Sequence, residues 1–482
     1  MSSFPFNFKQ DIDNFTESSI DNFQYIENIY CPVDKNLSNK KNVVKQYFKS
    51  VLDGSNHHLL MKYATSSKSL DNNILIPYIN DWNDNISIDN LVIINNPNDV
   101  KYLSKYNIKK APVFQNVVKN SVIATTDNND WKNQRYSMNK IFLTDNLVKV
   151  FNKSKLRANY CVKYLAEKSN SYKNDIDMND FFLNETQAQL QSALFGFDND
   201  YIESNNKKIR NVFIGRNTEY SNEFVQMTMK QCEKSDSELS QFLNNLEDKN
   251  RVGSNILLFA FAGHDTTGHT LTWLLYELCK NPIYKKKLIN EVDKFWKNNR
   301  EVTYESLNEL SFMSKCIFET LRLWPTLANG TYRELEEDEE ITGLDGHMVT
   351  LKKGTYVQIF NWIKHRNPNL WGDTVTIFDP EREFKDCEIW DKPFNLYHTE
   401  SDRFSPFTYS PRNCLGKNFA HMEMRLILLN IFKSHDFILT KEQSKVKEEE
   451  LSCNYFTMGP KDLKNKNVIA MYFNVFRRKP NL

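Results

Sequence analysis

The chain has 482 residues, of which 40% are hydrophobic and 26% are charged, and its 62 basic residues are balanced by 61 acidic ones. This composition is typical of a globular protein with a large core, and it excludes extensive disorder and fibrous repeats. A net charge of +1 provides no overall basic field, so we expect no nucleic-acid partner. At roughly 150 residues per domain, the length alone would suggest about three domains.

Cysteine usage and the N-terminal sequence bear on location. The eight cysteines are scattered from Cys31 to Cys453, without the close pairs of a zinc site or a redox motif. This usage is typical of a reducing compartment. The first residues lack the basic start and apolar run of a signal peptide, and no stretch reaches about 18 consecutive apolar residues. We therefore expect a cytoplasmic or peripherally membrane-associated protein without a transmembrane anchor.

Helical patterns dominate the chain after a first hundred residues rich in Asn, Lys and Asp, where DNLVIINNP predicts a strand closed by an Asn-Pro turn. Apolar residues at three- and four-residue spacing predict helices within 131–142, 148–168 and 179–197. A polar segment with weaker periodicity follows at 198–250. The longest predicted helix covers 254–280, and Pro282 ends it.

The centre of this long helix is apolar on nearly every side except at 264–267, so its polar side chains are expected to be buried. Asp265 and Thr266 place a carboxylate and a hydroxyl there, although both residue types disfavour a helix interior. One interpretation is a threonine that bonds back to the preceding turn. The other is a proton relay that brings solvent protons into an apolar cavity.

The second half of the chain predicts short strands with Gly turns between Leu335 and Val375. The acidic run ELEEDEE before them is interpreted as a solvated turn, not a metal site. Helix returns at 416–437, and a predicted hairpin closes the chain. The expected fold is therefore mainly α with a minor β-sheet region.

Cys414 lies where an irregular loop meets an amphipathic helix. The positive end of the helix dipole favours a thiolate, the form of cysteine that ligates metal. A single cysteine is more often a packing residue, and that interpretation stays open from this position alone. The nearby Arg412 could pair with a carboxylate of a bound ligand.

Glu319 and Arg322 lie three residues apart on one predicted helix and could pair. Their neighbours are apolar, which favours a buried pair over a surface one and requires a further partner for the guanidinium. Arg382, in a loop, is the candidate partner.

Taken together, these sites resemble the cytochrome P450 family of heme-thiolate monooxygenases. The matching motifs occur in the family's order: W-x-x-x-R at Trp131 and Arg135, AGHDTT at 262–267, E-x-x-R at Glu319 and Arg322, PER at 380–382, and F-x-x-x-x-R-x-C-x-G at 407–416. The resemblance implies the cytochrome P450 fold, with one heme-thiolate catalytic domain at 89–482. Residues 1–88 would be an N-terminal segment packed on the core.

The resemblance also implies the cofactor, heme b (iron protoporphyrin IX), with Cys414 as the thiolate ligand of its iron. Phe407 would pack near the sulfur. Asp265 and Thr266 would be catalytic and deliver protons during dioxygen activation. Two further groups of residues follow from the motifs: heme-propionate ligands at Trp131, Arg135, Arg333 and Arg412, and a structural triad of Glu319, Arg322 and Arg382.

Partners and substrate are implied as well. The residues of the motifs LRLWPT and AGHDTT are most similar to those of the fatty-acid hydroxylases of this family, which implies an apolar, lipid-like substrate. The chain has no Gly-rich dinucleotide fingerprint, so we expect electrons from a separate NADPH-dependent reductase or ferredoxin, which docks near Lys132 and Lys417. Side chains expected to line the substrate pocket are Phe259, Phe261, Ala328 and 456–458.

Two departures from the family pattern and two alternatives remain open. Ser410 stands where the family usually has Gly, and the segment from Phe195 to the long helix is short for two long lid helices. One alternative is a heme-thiolate isomerase or peroxygenase without a reductase, against which Asp265 and Thr266 argue. The other is a heme-binding sensor without turnover.

Overall fold

The structure, a computed structural model, describes most of the chain. The described residues are 26–32, 37–81, 86–114, 118, 120–169, 175–213, 220–235, 237–246, 248–298, 301–388, 400–462 and 469–478. Within them, long helices predominate over four small sheets. The predicted mainly α fold with a minor β-sheet region is therefore confirmed.

The N-terminal third of the fold contains five helices and one strand pair in its described part. Their bounds are α1 (Leu37–Leu52), α2 (Asn56–Ser66), β1 (Ile74–Asp81), β2 (Ile86–Ile94), α3 (Pro97–Tyr106), α4 (Asn128–Asn139) and α5 (Thr144–Lys168). Asn96 caps α3 and Asp127 caps α4, each with its side chain accepting from two backbone N–H groups of the first turn. The predicted strand in DNLVIINNP and the helices at 131–142 and 148–168 are confirmed.

The middle of the chain carries the helices that surround the longest one. Their bounds are β3 (Asp175–Asp177), α6 (Met178–Leu190, continued by a π-helical turn at Gln191–Phe195), α7 (Asn199–Phe213), α8 (Tyr220–Glu233), α9 (Glu238–Asn244) and α10 (Lys249–Lys280). The weakly periodic segment 198–250 thus holds two helices of 15 and 14 residues and a shorter one. The helix α10 begins five residues before the predicted start, because Asp248 caps it.

The C-terminal part alternates helices with short strands. Their bounds are α11 (Pro282–Asn298), α12 (Ser311–Leu323), β4 (Thr331–Glu334), β5 (Glu339–Thr342), β6 (Met348–Leu351), β7 (Tyr356–Ile359), α13 (Asn361–Lys364), α14 (Pro368–Trp371), α15 (Lys417–Ser434), β8 (His435–Leu439), α16 (Glu448–Leu451), β9 (Ser452–Asn454), β10 (Met458–Pro460) and β11 (Tyr472–Arg477). The predicted hairpin is β9–β10. The acidic run ELEEDEE is only partly a turn, since its two ends belong to β4 and β5.

The sheets tie distant segments together. The largest has the order β1–β2–β7–β4, with β2 and β7 parallel and the other pairs antiparallel. A second sheet has the order β3–β11–β8. Residue 89 lies inside β2, so residues on both sides of the predicted domain limit share one sheet; the limit itself stays a prediction.

The helix α10 runs through the core against α6 and α12. Close approach to α6 depends on Gly268, because a Cβ there would lie 3.0 Å from both the backbone N and the Cα of Leu183. On the other side, the rings of Trp273 and Trp324 stack with centroids 4.0 Å apart. Within the part of the chain that the structure describes, we find no helix long and apolar enough to cross a membrane.

Candidate cofactor site

Cys414 lies three residues before the first residue of α15, at the end of the loop that leads into this helix. Its backbone N–H donates to the carbonyl of Phe407 at 2.9 Å. The side chain is accessible to solvent, although protein surrounds it on most sides. Desolvation therefore raises the pKa of the thiol, while the N–H groups of Gly416 and Lys417 and the positive charges of Arg135 and Lys417 oppose that rise. These donors and cations stabilise the thiolate form but offset only part of the desolvation.

In the loop before Cys414, Ser410 does not adopt the backbone conformation that would favour Gly. Ser410 has no positive φ; the left-handed residue of this loop is Thr408, with φ 60°. The N–H of Ser410 donates to Oε2 of Glu400 at 2.8 Å. The geometry that we expected to be disturbed at Ser410 is thus held by a hydrogen bond, and the unusual backbone conformation lies two residues earlier.

Arg135, a predicted propionate ligand, contacts the cysteine loop directly. Its guanidinium donates to both the backbone carbonyl and the side-chain oxygen of Asn413. Trp131, one turn earlier on α4, is buried, and the guanidinium of Arg412 lies over its ring at 4.3 Å. The structure therefore brings the W-x-x-x-R motif against the two residues that precede Cys414.

Arg412 is a buried cation with incomplete hydrogen bonding. It donates from Nη2 to the side chain of Asn128 at 2.9 Å, whereas its Nε has no partner among the described residues. Burial lowers its pKa to about 10; the negative charges of Glu336 and Asp130 oppose this shift, and the positive charge of Arg135 adds to it.

Arg333, on β4, is the most strongly isolated cation of the site. It is 1% exposed, and none of its three guanidinium nitrogens has a hydrogen-bond partner within the described part of the chain. Burial, followed by the charge of Arg412, lowers its pKa to about 9. An unpaired buried guanidinium is costly, so this position calls for an anion.

Lys110 is a third buried cation, which the sequence analysis missed. Its ammonium group donates to the hydroxyl of Thr331 at 2.8 Å, and a β-bridge joins its backbone to Arg333. Burial lowers its pKa well below the usual range, and the charges of Arg333 and Arg412 lower it further. No motif could have identified Lys110, because only the β-bridge brings it to the site.

The donor set can be tested against a heme group on these observations alone. The positive charge of Arg412 acts on the buried Lys110 and Arg333, and among the described residues no acidic side chain balances either of these two. Arg412 itself has partial counter-charges in Glu336 and Asp130. Two carboxylates, such as the propionates of heme b, would supply both the counter-charge and the missing acceptors. Cys414 follows Arg412 by two residues and provides sulfur as a metal ligand. The residues present therefore fit the cofactor.

The predicted triad is assembled in the structure. Arg322 donates from Nε and Nη2 to the two oxygens of Glu319 at 2.8 and 2.7 Å, and both side chains are fully buried. Arg382 donates from Nε to the same carboxylate at 3.2 Å. The remaining donors of Arg322 reach the backbone carbonyls of His365 and Val375, so the pair is satisfied on all sides.

The helix α10 carries Asp265 and Thr266. The hydroxyl of Thr266 donates to the carbonyl of Ala262 at 2.9 Å, as in the simpler of the two interpretations. The carboxylate of Asp265 accepts a hydrogen bond from the hydroxyl of Thr457, in the turn between β9 and β10. The sequence analysis did not predict this contact, because Thr457 lies 192 residues away from Asp265 in the sequence.

Two of the expected pocket residues are in contact with each other. The rings of Phe261 and Phe456 meet edge to face at 5.9 Å, which brings the 456–458 turn against α10. Phe259 is buried and lies 6.0 Å from the ring of Phe142, and Ala328 is fully buried.

The two lysines expected to dock a redox partner differ in exposure. Lys132, on α4, is exposed, whereas Lys417 is half-buried as the first residue of α15. Since Lys417 also acts on the thiol of Cys414, only Lys132 reports on docking without changing the cysteine.

The fold and the site define a mainly α protein in which a cysteine and a group of buried cations are arranged for an anionic metal cofactor. The family model described as Cytochrome P450 matches residues 217–466, a little more than half of the chain. The chain belongs to the cytochrome P450 family. Members of this family bind heme b through a cysteine thiolate.

Similar curated proteins carry the same family name. "Cytochrome P450 3A40" of Oryzias latipes is 34% identical over 208 residues, which are 41% of this chain and 38% of that protein. "Cytochrome P450 3A18" of Rattus norvegicus is 32% identical over 212 residues, 44% of this chain and 39% of that protein. "Putative cytochrome P450 CYP13A7" of Caenorhabditis elegans is 32% identical over 187 residues, 39% and 33% of the two chains. The matches therefore span less than two fifths of the length of these relatives.

Proposed function

We propose that this protein is a heme-thiolate monooxygenase, an oxidoreductase that activates dioxygen and inserts one oxygen atom into an apolar organic substrate. One observation carries the proposal: the buried cations Lys110 and Arg333 have no acidic partner among the described residues, and Arg412, whose charge acts on both, lies two residues before Cys414. Heme iron, when bound, supplies the centre at which dioxygen is bound and activated.

On the cysteine side, the chain provides ligand and counter-charge. Cys414 holds the iron as a thiolate, which the N–H groups of Gly416 and Lys417 stabilise. Arg333 and Lys110 hold the propionates through charge and hydrogen bonds, and Arg412 does so while stacked on Trp131. Phe407, half-buried and bonded through its carbonyl to the N–H of Cys414, keeps the loop in place beside the sulfur.

On the α10 side, Asp265 and Thr266 move protons. The side chain of Asp265 is 20% exposed, so it can exchange a proton with solvent and still face the interior. The hydroxyl of Thr266 uses its proton on the carbonyl of Ala262, which leaves its oxygen free to accept a hydrogen bond.

The substrate is an apolar molecule. The residues of the motifs LRLWPT and AGHDTT favour a fatty acid or another lipid. The aromatic pair Phe261 and Phe456 supports an apolar pocket on the α10 side. Electrons come from a separate NADPH-dependent reductase or ferredoxin, which meets the face that carries Lys132.

The absorption spectrum of the reduced, carbon-monoxide-bound protein tests this proposal. We expect the strongly red-shifted Soret band of a thiolate-ligated heme, and Cys414→Ser should abolish it. Cys387→Ser, which changes another exposed cysteine, is the matched control and should keep the band. A band typical of histidine ligation in the unchanged protein would contradict the assignment.

Turnover assays separate the alternatives. A monooxygenase consumes dioxygen and NADPH with a reductase present and forms hydroxylated or epoxidised product. Turnover with peroxide alone, or isomerisation without any reductant, would favour an isomerase or peroxygenase. Failure to consume dioxygen with any electron donor would favour a heme-binding sensor.

A further inference from the structure

His269 lies one helical turn after Asp265 on α10 and is 1% exposed. Its Nδ1 lies 3.1 Å from the hydroxyl oxygen of Thr457, and this hydroxyl contacts Oδ2 of Asp265. The three side chains thus form a continuous hydrogen-bonded chain from the interior of α10, through the β9–β10 turn, back to the carboxylate on α10. Thr457 is itself 3% exposed, so water does not readily replace either contact.

The direction of this chain follows from the donors available. A hydroxyl has one proton, and Thr457 donates it to Asp265. The contact with His269 must then be donated by the imidazole, which requires the tautomer with its proton on Nδ1. The other ring nitrogen, Nε2, is buried and has no hydrogen-bond partner among the described residues, as expected for a nitrogen without a proton in an apolar contact.

The backbone opposite His269 is adapted to the ring. A Cβ at Gly459, on β10, would lie 2.8 Å from Nε2 of His269, so any larger residue there would displace the imidazole. Burial lowers the pKa of His269, the negative charge of Asp265 opposes this shift, and Arg210 on α7 adds to it. The ring is therefore neutral near pH 7. A neutral imidazole has one N–H group, which is the donor that the hydrogen bond to Thr457 requires.

We propose that His269, acting through Thr457, is a positioning residue that fixes the orientation of the Asp265 carboxylate for proton delivery. This inference rests on the proposed function, because it gives the hydrogen bonds from His269 through Thr457 a role in proton delivery by Asp265. Because His269 can only donate at Nδ1, Thr457 always presents its proton to Asp265 and holds Oδ2. The other oxygen, Oδ1, which lies 4.0 Å from Nε2 of His264, is then the one that accepts and releases protons.

Two pairs of variants isolate the hydrogen-bonded chain from packing. Thr457→Val keeps the shape and removes the hydroxyl, whereas Thr457→Ser keeps the hydroxyl. His269→Leu removes the donor, whereas His269→Asn keeps an amide donor near the position of Nδ1. We expect Val and Leu to lower the rate of product formation about fivefold and to divert electrons to hydrogen peroxide, with substrate affinity unchanged; Ser and Asn should restore most of the loss.

Nitrogen-15 NMR of the histidine-labelled, ferrous carbon-monoxide protein provides a readout that does not depend on turnover. The signal that disappears in His269→Asn belongs to His269, one of nine histidines. We expect its protonated nitrogen to be Nδ1, and its chemical shift to move in Thr457→Val and stay in Thr457→Ser. Protonation at Nε2 would mean that Nδ1 accepts the hydrogen bond from Thr457, and this result would overturn the proposal.

The monooxygenase function and the positioning role of His269 can be refuted by different results. If the Soret band lacks the thiolate shift, the proposed function fails, while the NMR result still reports the tautomer of His269. If the band is present and all four variants couple electrons to product as the unchanged protein does, the monooxygenase stands and the positioning role of His269 is wrong.

Discussion

Lys110 and Arg333 are joined by an antiparallel β-bridge, so two cations that lie 223 positions apart in the sequence are buried at the same place. Neither has an acidic partner among the described residues, and the charge of Arg333 lowers the stability of the charged form of Lys110. We infer that the pair marks the place where a negatively charged group of the cofactor binds.

Removing one of these cations should weaken heme retention. For Arg333→Met we expect heme to dissociate about 10- to 100-fold faster, because one or two charge-assisted hydrogen bonds to a propionate are lost. Transfer of heme to excess apomyoglobin measures the rate. The surface variant Lys353→Met is the control. Unchanged heme dissociation in Arg333→Met would contradict the assignment of Arg333 as a propionate ligand.

The same substitution should have the opposite effect on the heme-free protein. Without heme, Arg333 is an uncompensated buried charge, so Arg333→Met should raise the free energy of unfolding of the heme-free protein. Urea denaturation of both proteins, prepared without heme, measures this change. A destabilised heme-free variant would show that Arg333 is held by protein contacts instead.

The triad around Glu319 predicts a large loss of stability. Glu319→Gln removes the negative charge that Arg322 and Arg382 share, which leaves the fully buried Arg322 uncompensated. We expect the free energy of unfolding to fall by about 3–5 kcal/mol. Glu305→Gln, at an exposed position before α12, is the matched control and should change it by less than about 0.5 kcal/mol.

Lys364 predicts a pH dependence of stability. This buried lysine donates to the hydroxyls of Ser405 and Tyr409, on the two sides of Phe407, and burial lowers its pKa to about 7. In the unfolded chain the pKa is about 10.4, so above pH 7 the folded protein has lost a proton that the unfolded chain keeps. Stability should therefore rise with pH between 7 and 9, by at most about 1.4 kcal/mol per pH unit.

The variant Lys364→Met isolates this contribution, because the other titrating groups are common to both proteins. Urea unfolding at pH 7, 8 and 9 should show the stability of the unchanged protein rising relative to that of Lys364→Met. Equal pH profiles would mean that Lys364 keeps its proton in the folded protein.

Lys132 predicts the side on which the electron donor docks. Lys132→Glu reverses an exposed charge on α4, and we expect a slower first electron transfer from the reductase, most marked at low ionic strength. Stopped-flow reduction of the heme measures the rate, with Lys353→Glu as the control. Equal rates in both variants would place the docking surface elsewhere.

Local geometry explains what could be predicted from the sequence. The spacing of apolar residues predicted α4, α5, α6 and α10 because a helix repeats every 3.6 residues. The same repeat brings Glu319 and Arg322 onto one face of α12. The position of Cys414 shortly before α15 was likewise readable, since loop and helix are adjacent in the chain. The helices α7 and α8 were missed because their sequences are polar and contain few apolar residues that would mark the helical repeat.

Apart from the contact of Arg382 with Glu319, contacts between distant segments were beyond sequence reasoning. The guanidinium of Arg135 contacts Asn413, which was not expected, and its role as a propionate ligand stays a prediction. Lys110 carries no motif and reaches the site through its bridge to Arg333. Such contacts depend on how the elements pack, which the spacing of residues along one element does not reveal.

The sequence by itself determined the family, the thiolate candidate Cys414 and the mainly α fold, because these depend on local order and spacing. Only the tertiary structure decided which buried charges lack partners and which side chains meet across α10 and the β9–β10 turn. The physical reason is that burial and hydrogen-bond satisfaction belong to the packed molecule. They arise when segments as far apart as Asp265 and Thr457 come into contact.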